Sequence, residues 1–142
     1  VRKISSYLIF CLLLLGCKAT YQGGQKKEMK NIYLRVFKMA YFSSVLKEGF
    51  NNSEAIKSIV DNQFSGYGEP ILYPEDLKLI NDFAKEANVK LTKDSIERVG
   101  RVAEGAEAKN VIAYAIEAYN SKWLDSLAKA RYKCFKKIYR RY

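Results

Sequence analysis

Apolar side chains recur along this chain at three- and four-residue steps, and no stretch alternates over the length of a strand. From about Gln25 to Glu48 the recurring positions are Met29, Ile32, Tyr33, Val36, Phe37, Ala40 and Tyr41, which predicts one helix with a single buried face. Gly49 followed by Phe50 fits a glycine cap with an apolar residue behind it. Asn51-Asn52-Ser53-Glu54 has the spacing of a capping box, with Asn51 as cap and Glu54 three residues on. A second, shorter helix follows, with Ile56, Ile59, Val60 and Phe64 on its apolar face and its end at Ser65-Gly66.

Ser65 to Pro74 reads as the one long irregular connection and holds both prolines. Pro74 suits the first turn of a third helix, and Glu75 and Asp76 are favourable at its positive end. Leu77, Ile80, Ala84 and Ala87 form its buried stripe, with Asn88 as a left-handed cap. Thr92 is expected to cap a fourth segment whose Ile96, Val99, Val102 and Ala103 face inward, with Gly100 and Gly105 marking a close crossing or a break. The last segment carries Ile112, Ile116, Tyr119, Trp123, Leu127, Ala130, Cys134 and Ile138 in one stripe. That predicts a continuous helix from about Ala106 to Arg140, roughly 50 Å long. The expected fold is all-α, a small bundle of four or five helices with a long C-terminal helix. Cys134, lying on that stripe, is expected to be buried and inert.

The first seventeen residues follow a different pattern. Arg2 and Lys3 precede the apolar run Tyr7–Leu15, which is followed at once by Gly16 and Cys17. The run falls short of the roughly 20 apolar residues a spanning helix needs. A charged start, a short apolar core and a small-residue exit together read as a secretory signal. Leu14-Leu15-Gly16-Cys17 resembles the lipobox of bacterial lipoproteins, with Leu14 at −3, Gly16 at −1 and Cys17 at +1. The resemblance implies cleavage between Gly16 and Cys17 and a covalent diacylglycerol and N-acyl chain on Cys17, with no other cofactor. It divides the chain into a signal peptide (1–16), a lipidated polar tether containing Gly23-Gly24 (17–27) and one helical domain (28–142). Lys18 stands where an Asp would favour inner-membrane retention in enterobacterial lipoproteins, so by the same resemblance it permits the outer membrane. The expected location is the cell envelope, on a lipid anchor.

The formal charge of +10 is unevenly spread. Lys129, Arg131, Lys133, Lys136, Lys137, Arg140 and Arg141 follow Asp125 with no acid among them, so the basic character belongs to the C-terminal tail. Tyr132, Phe135, Tyr139 and Tyr142 are interleaved with these cations. In an exported protein the combination points to an anionic membrane or envelope polymer more than to nucleic acid. The alternatives are an acidic protein partner and, more blandly, a helix C-terminus whose cations complement its dipole.

The sequence holds no histidine, which closes His-based triads, His-ligated zinc and imidazole acid–base chemistry. Glu75-Asp76 is accounted for by the helix dipole. Glu104 and Glu107, flanked by Arg101 and Lys109, read as a solvated face. Gly66-Tyr67-Gly68 lacks the preceding strand, third glycine and Lys-Ser/Thr of a phosphate loop. Without a base beside it, Cys134 is no nucleophile, and no metal site is expected. Tyr67 and Tyr73 are amphipathic anchors of the kind interfaces use, so their loop is a candidate partner surface. It could equally be a plain connection pinned by Ile71 and Leu72.

These features argue for binding to another envelope protein rather than for catalysis. In size, lipobox, helical body and basic makeup the chain is similar to the entry-exclusion lipoproteins of small mobilisable plasmids. The resemblance implies that it blocks incoming conjugal DNA transfer. An assembly or pilotin-like lipoprotein of an envelope machine, or an inhibitor of a cell-wall hydrolase, would share the same outline.

Overall fold

The computed structural model describes the backbone of residues 2–64, 71–97, 99 and 109–139, and the side chains of residues 24, 27–62, 71–97, 99 and 109–138. Within these residues the chain forms five helices and no strand: α1 (Arg2–Gly49), α2 (Glu54–Phe64), α3 (Pro74–Ile96), α4 (Val111–Asn120) and α5 (Lys122–Tyr139). This is the all-α bundle that the hydrophobic spacing predicts, closing on a long C-terminal helix. Among the described residues no helix is long and apolar enough to cross a membrane.

The chain divides into two compact units, Val1–Ile32 and Tyr33–Tyr142, and α1 contributes to both. In the first unit the backbone is helical through residues 18–27, where the glycine pair leads one to expect coil. The described side chains there are exposed, apart from half-exposed Met29 and Ile32.

The second unit is built on the face of α1 that carries Tyr33, Phe37, Tyr41 and Val45, each almost wholly buried. A four-residue step on a helix of 3.6 residues per turn keeps these side chains on one slowly winding row. Gly49 ends the row. A Cβ there would collide with the side chain of Val111, meeting its Cγ2 at 2.9 Å. The glycine is therefore fixed by the close approach of α4, not by a left-handed cap as its position suggests. Asn51 and Asn52 take that conformation instead, each with φ of 55°, which short polar side chains tolerate better than most. Lys57 N–H then bonds the Ser53 carbonyl at 3.0 Å, so Ser53, not Asn51, stands at the head of α2. On α2 Val60 is buried, whereas Ile59, expected inward, is exposed.

α3 runs unbroken through both residues expected to interrupt it. The Thr92 hydroxyl donates to the Asn88 carbonyl one turn back at 2.8 Å, so it is satisfied inside the helix and caps nothing. The Asn88 side chain accepts from Lys109 Nζ at 2.8 Å. Asp76, Ile80, Ala84, Ala87 and Leu91 form the buried face, while Leu77 is exposed. Ile96, expected inward, is 77% exposed, and Val99 is exposed beside it; Val102, Ala103, Gly100 and Gly105 lie outside the described residues.

The single helix expected from Ala106 to Arg140 is two helices. At Ser121 the backbone turns extended (φ −73°, ψ 146°). Its hydroxyl donates to the Ala118 carbonyl at 2.7 Å and accepts the Leu124 N–H at 3.1 Å, closing one helix and opening the next. The buried face also differs from the expected stripe: it is Val111, Ala115, Ala118, Leu124, Ala128 and Phe135. Ile112 and Ile116 are 57% and 49% exposed, and Trp123 and Ile138 are similarly open. Cys134 is exposed, not buried. The reason lies in volume. The largest buried side chains include Tyr33, Tyr41 and Phe37, and close packing around fixed rings takes alanines where a size-ranked pattern looks for isoleucine.

Candidate functional site

Three helices of the second unit meet at one carboxylate. Asp76, in the first turn of α3, is only 1% exposed. Its Oδ2 accepts the Tyr33 hydroxyl from α1 at 2.8 Å and the Tyr73 N–H at 3.2 Å. Its Oδ1 accepts Arg131 Nε from α5 at 2.6 Å. The Tyr73 bond is half of a capping box, and the Arg131 bond adds charge assistance. Four rings surround the node: Tyr33 packs on Phe135 at 5.0 Å and Tyr132 at 5.5 Å, and Tyr73 on Phe135 at 5.6 Å.

This environment governs titration. Burial pushes the Tyr33 hydroxyl well above its ordinary value, and its bond to Asp76 and the charge of that carboxylate push it further. Burial disfavours the Arg131 charge, but the Asp76 hydrogen bond and Coulombic attraction outweigh it and raise its pKa. With three donors around it, Asp76 is committed to holding α1, α3 and α5 together.

A second polar contact lies farther along α1. Lys38 Nζ pairs with Asp125 Oδ1 at 2.9 Å and sits 4.6 Å from the centre of the Tyr119 ring. The hydrogen bond from Lys38 holds the Asp125 carboxyl below its usual range, and Lys129, 3.6 Å from Oδ2, adds to the effect. Tyr41 is raised by burial and by its hydrogen bond with Tyr114.

An open polar cleft of about 310 Å³ lies between α1 and α3, lined by Ser44, Lys47, Glu48, Asn52, Asn81 and Lys85. Much of its polar lining is engaged: Ser44 donates to Asn81 at 2.9 Å and Lys47 to Asp61 at 2.6 Å. Among the described residues no cluster of acids and thiols could hold a metal ion.

The cations grouped by sequence separate in space. Arg131 turns inward to Asp76, and Lys129 pairs with Asp125. Lys133, Lys136 and Lys137 are exposed, and Arg140 and Arg141 lie outside the described residues. Tyr73 is half-buried, with its ring packed against Phe135 of α5. Tyr67, Glu104 and Glu107 lie outside the described residues, and of Gly16 and Cys17 only the backbone is described.

The sequence reading missed Asp76 as a junction. Its partners are 43 and 55 residues away, and the available signal was Arg131 falling on the buried arc of α5 set by Leu124, Ala128 and Phe135. Comparison with protein-family models, curated proteins and solved structures finds no match to this chain.

Proposed function

We propose that this chain is a lipid-anchored protein of the bacterial envelope, acting by binding another envelope component, and that its effect is to exclude incoming conjugal DNA transfer. The observation that carries the anchor is Leu14-Leu15-Gly16-Cys17 behind a basic start and a short apolar run. Acylation there would supply the several chains that stable anchoring takes. The small all-α body supports a binding role: its buried carboxylate serves architecture, and its exposed lysines on α5 face outward. The exclusion role rests on similarity in size, lipobox, helical body and charge to plasmid entry-exclusion lipoproteins.

Radiolabelled palmitate tests the anchor. Label is expected in the wild-type protein and not in Cys17→Ala, with the labelled protein in the outer-membrane fraction. A native protein that is unacylated and still begins at its first encoded residue overturns the envelope assignment. Mating assays test the effect: recipients lacking the gene should take up the plasmid more readily. Unchanged uptake removes the exclusion role.

A further inference from the structure

α5 presents two different surfaces on its outer side. At 100° per residue, Lys122, Lys129, Lys133, Lys136 and Lys137 fall within an arc of about 100°, opposite the buried Leu124, Ala128 and Phe135, and extend about 22 Å along the axis. All five are exposed. Among the described residues only Lys129 of these five has an acid within ion-pair reach. Beside this ridge runs a seam of Trp123, Ala130, Cys134 and Ile138, all exposed at least in part. The same stripe that the spacing predicts as core thus flanks a row of lysines at the surface.

We infer that α5 lies along an anionic bilayer surface, with the lysine ridge against the phosphate headgroups and the Trp123–Ile138 seam at the edge of the apolar layer. Lysines on long stems beside a narrow apolar strip are the arrangement that lets a helix rest in an interface while its charges reach the headgroups. Charge complementarity selects the occupant, and residue type refines the choice. Among the described residues the ridge holds no arginine, which grips single phosphates through a planar fork, because Arg131 is turned to Asp76. Lysines act as hydrated point charges suited to a diffuse anionic plane. Among the described residues the ridge also has no free stacking rings of a single-strand nucleic-acid groove: Tyr132 packs on Tyr33 and Phe135, and Trp123 is held edge-on by Tyr41 and Phe83. This contact deepens the envelope reading and names a surface for it. It does not depend on acylation, so the two fail separately.

The test uses the full chain carrying Cys17→Ala, so that acyl chains contribute nothing. Binding is measured on vesicles of phosphatidylcholine alone and of phosphatidylcholine with phosphatidylglycerol. Trp123, the sole tryptophan, reports from the seam. The chain should prefer the anionic vesicles, with Trp123 emission moving to the blue on binding. Lys133→Gln with Lys136→Gln and Lys137→Gln should lower that preference about a hundredfold and abolish the shift. The matched set Lys78→Gln, Lys85→Gln and Lys90→Gln, exposed lysines of α3, should keep both. The inference is overturned if the ridge variant keeps its preference, if the α3 set loses as much, or if single-stranded DNA displaces the chain from anionic vesicles.

Discussion

Arg131 Nε lies 2.6 Å from Asp76 Oδ1, joining α5 to the first turn of α3 through a carboxylate that also receives the Tyr33 hydroxyl of α1. Removing Arg131 leaves a buried carboxylate without its countercharge, and removing Asp76 leaves a part-buried guanidinium without its acid, either of which costs more than the pair itself is worth. Asp76→Ala is expected to destabilise the protein by about 3 kcal/mol, and Arg131→Met by a comparable amount. The double variant Asp76→Ala with Arg131→Met should lose less than the sum of the two single losses. Urea unfolding of the four proteins measures this cycle.

At the other end of α1, Gly49→Ala would drive a methyl group into Val111. Overpacking of this kind costs about 2 kcal/mol, more than the gain in helix propensity returns. Combined with Val111→Ala, the loss should be smaller than the sum of the two single losses, a coupling that thermal or urea unfolding would read out directly.

Ser121 separates α4 from α5 through one hydroxyl that serves both ends. Ser121→Ala should cost about 1 kcal/mol, the usual value of a lost helix cap. Ser121→Asp should retain most of the stability, because a carboxylate can also accept the Leu124 N–H.

The Tyr33 hydroxyl titrates above its ordinary value of 10.0 in the folded protein. The unfolded chain therefore loses this proton first as pH rises. The stability held by Tyr33 is fully present below pH 10.0 and declines above it. Tyr33→Phe should be less stable at neutral pH, and the gap to wild type should narrow in alkali. Denaturation midpoints between neutral and strongly alkaline pH check the sign.

Asp125 behaves in the opposite sense. Its folded pKa is held below the ordinary 3.8, first by the hydrogen bond from Lys38. The contribution is present above pH 3.8 and is lost as pH falls through the folded value. Asp125→Asn should fall behind wild type at neutral pH and converge with it in acid, where both carry an uncharged side chain.

The α1 core face was readable because its largest side chains, Tyr33, Phe37 and Tyr41, are also its buried ones. On α4 and α5 size and burial part company. Ala115, Ala118 and Ala128 go inside while Ile112, Ile116 and Trp123 stay at the surface, so reading the stripe by size placed it out of phase. With that phase lost, Arg131 looked like one more cation of a basic tail and Cys134 like a core thiol. The break at Ser121 was hidden for a related reason: serine is tolerated within helices, and only its two hydrogen bonds reveal it as a cap. Asp76 looked like a dipole acid because a helix N-terminus already explains an aspartate locally. Nothing short-range distinguishes an exposed one from one buried under a distant arginine.

The aromatic row on α1 is completed by rings from the far side of the chain, Trp123 for Tyr41 and Phe135 for Tyr33. On the ribosome, α1 emerges long before α5, and until then Tyr33, Phe37 and Tyr41 have no lasting cover. Chain segments whose closing contacts are so remote in sequence gain little from early collapse. The nascent protein should therefore remain open and accessible to holding chaperones until α5 has been made, and only then lock into its bundle.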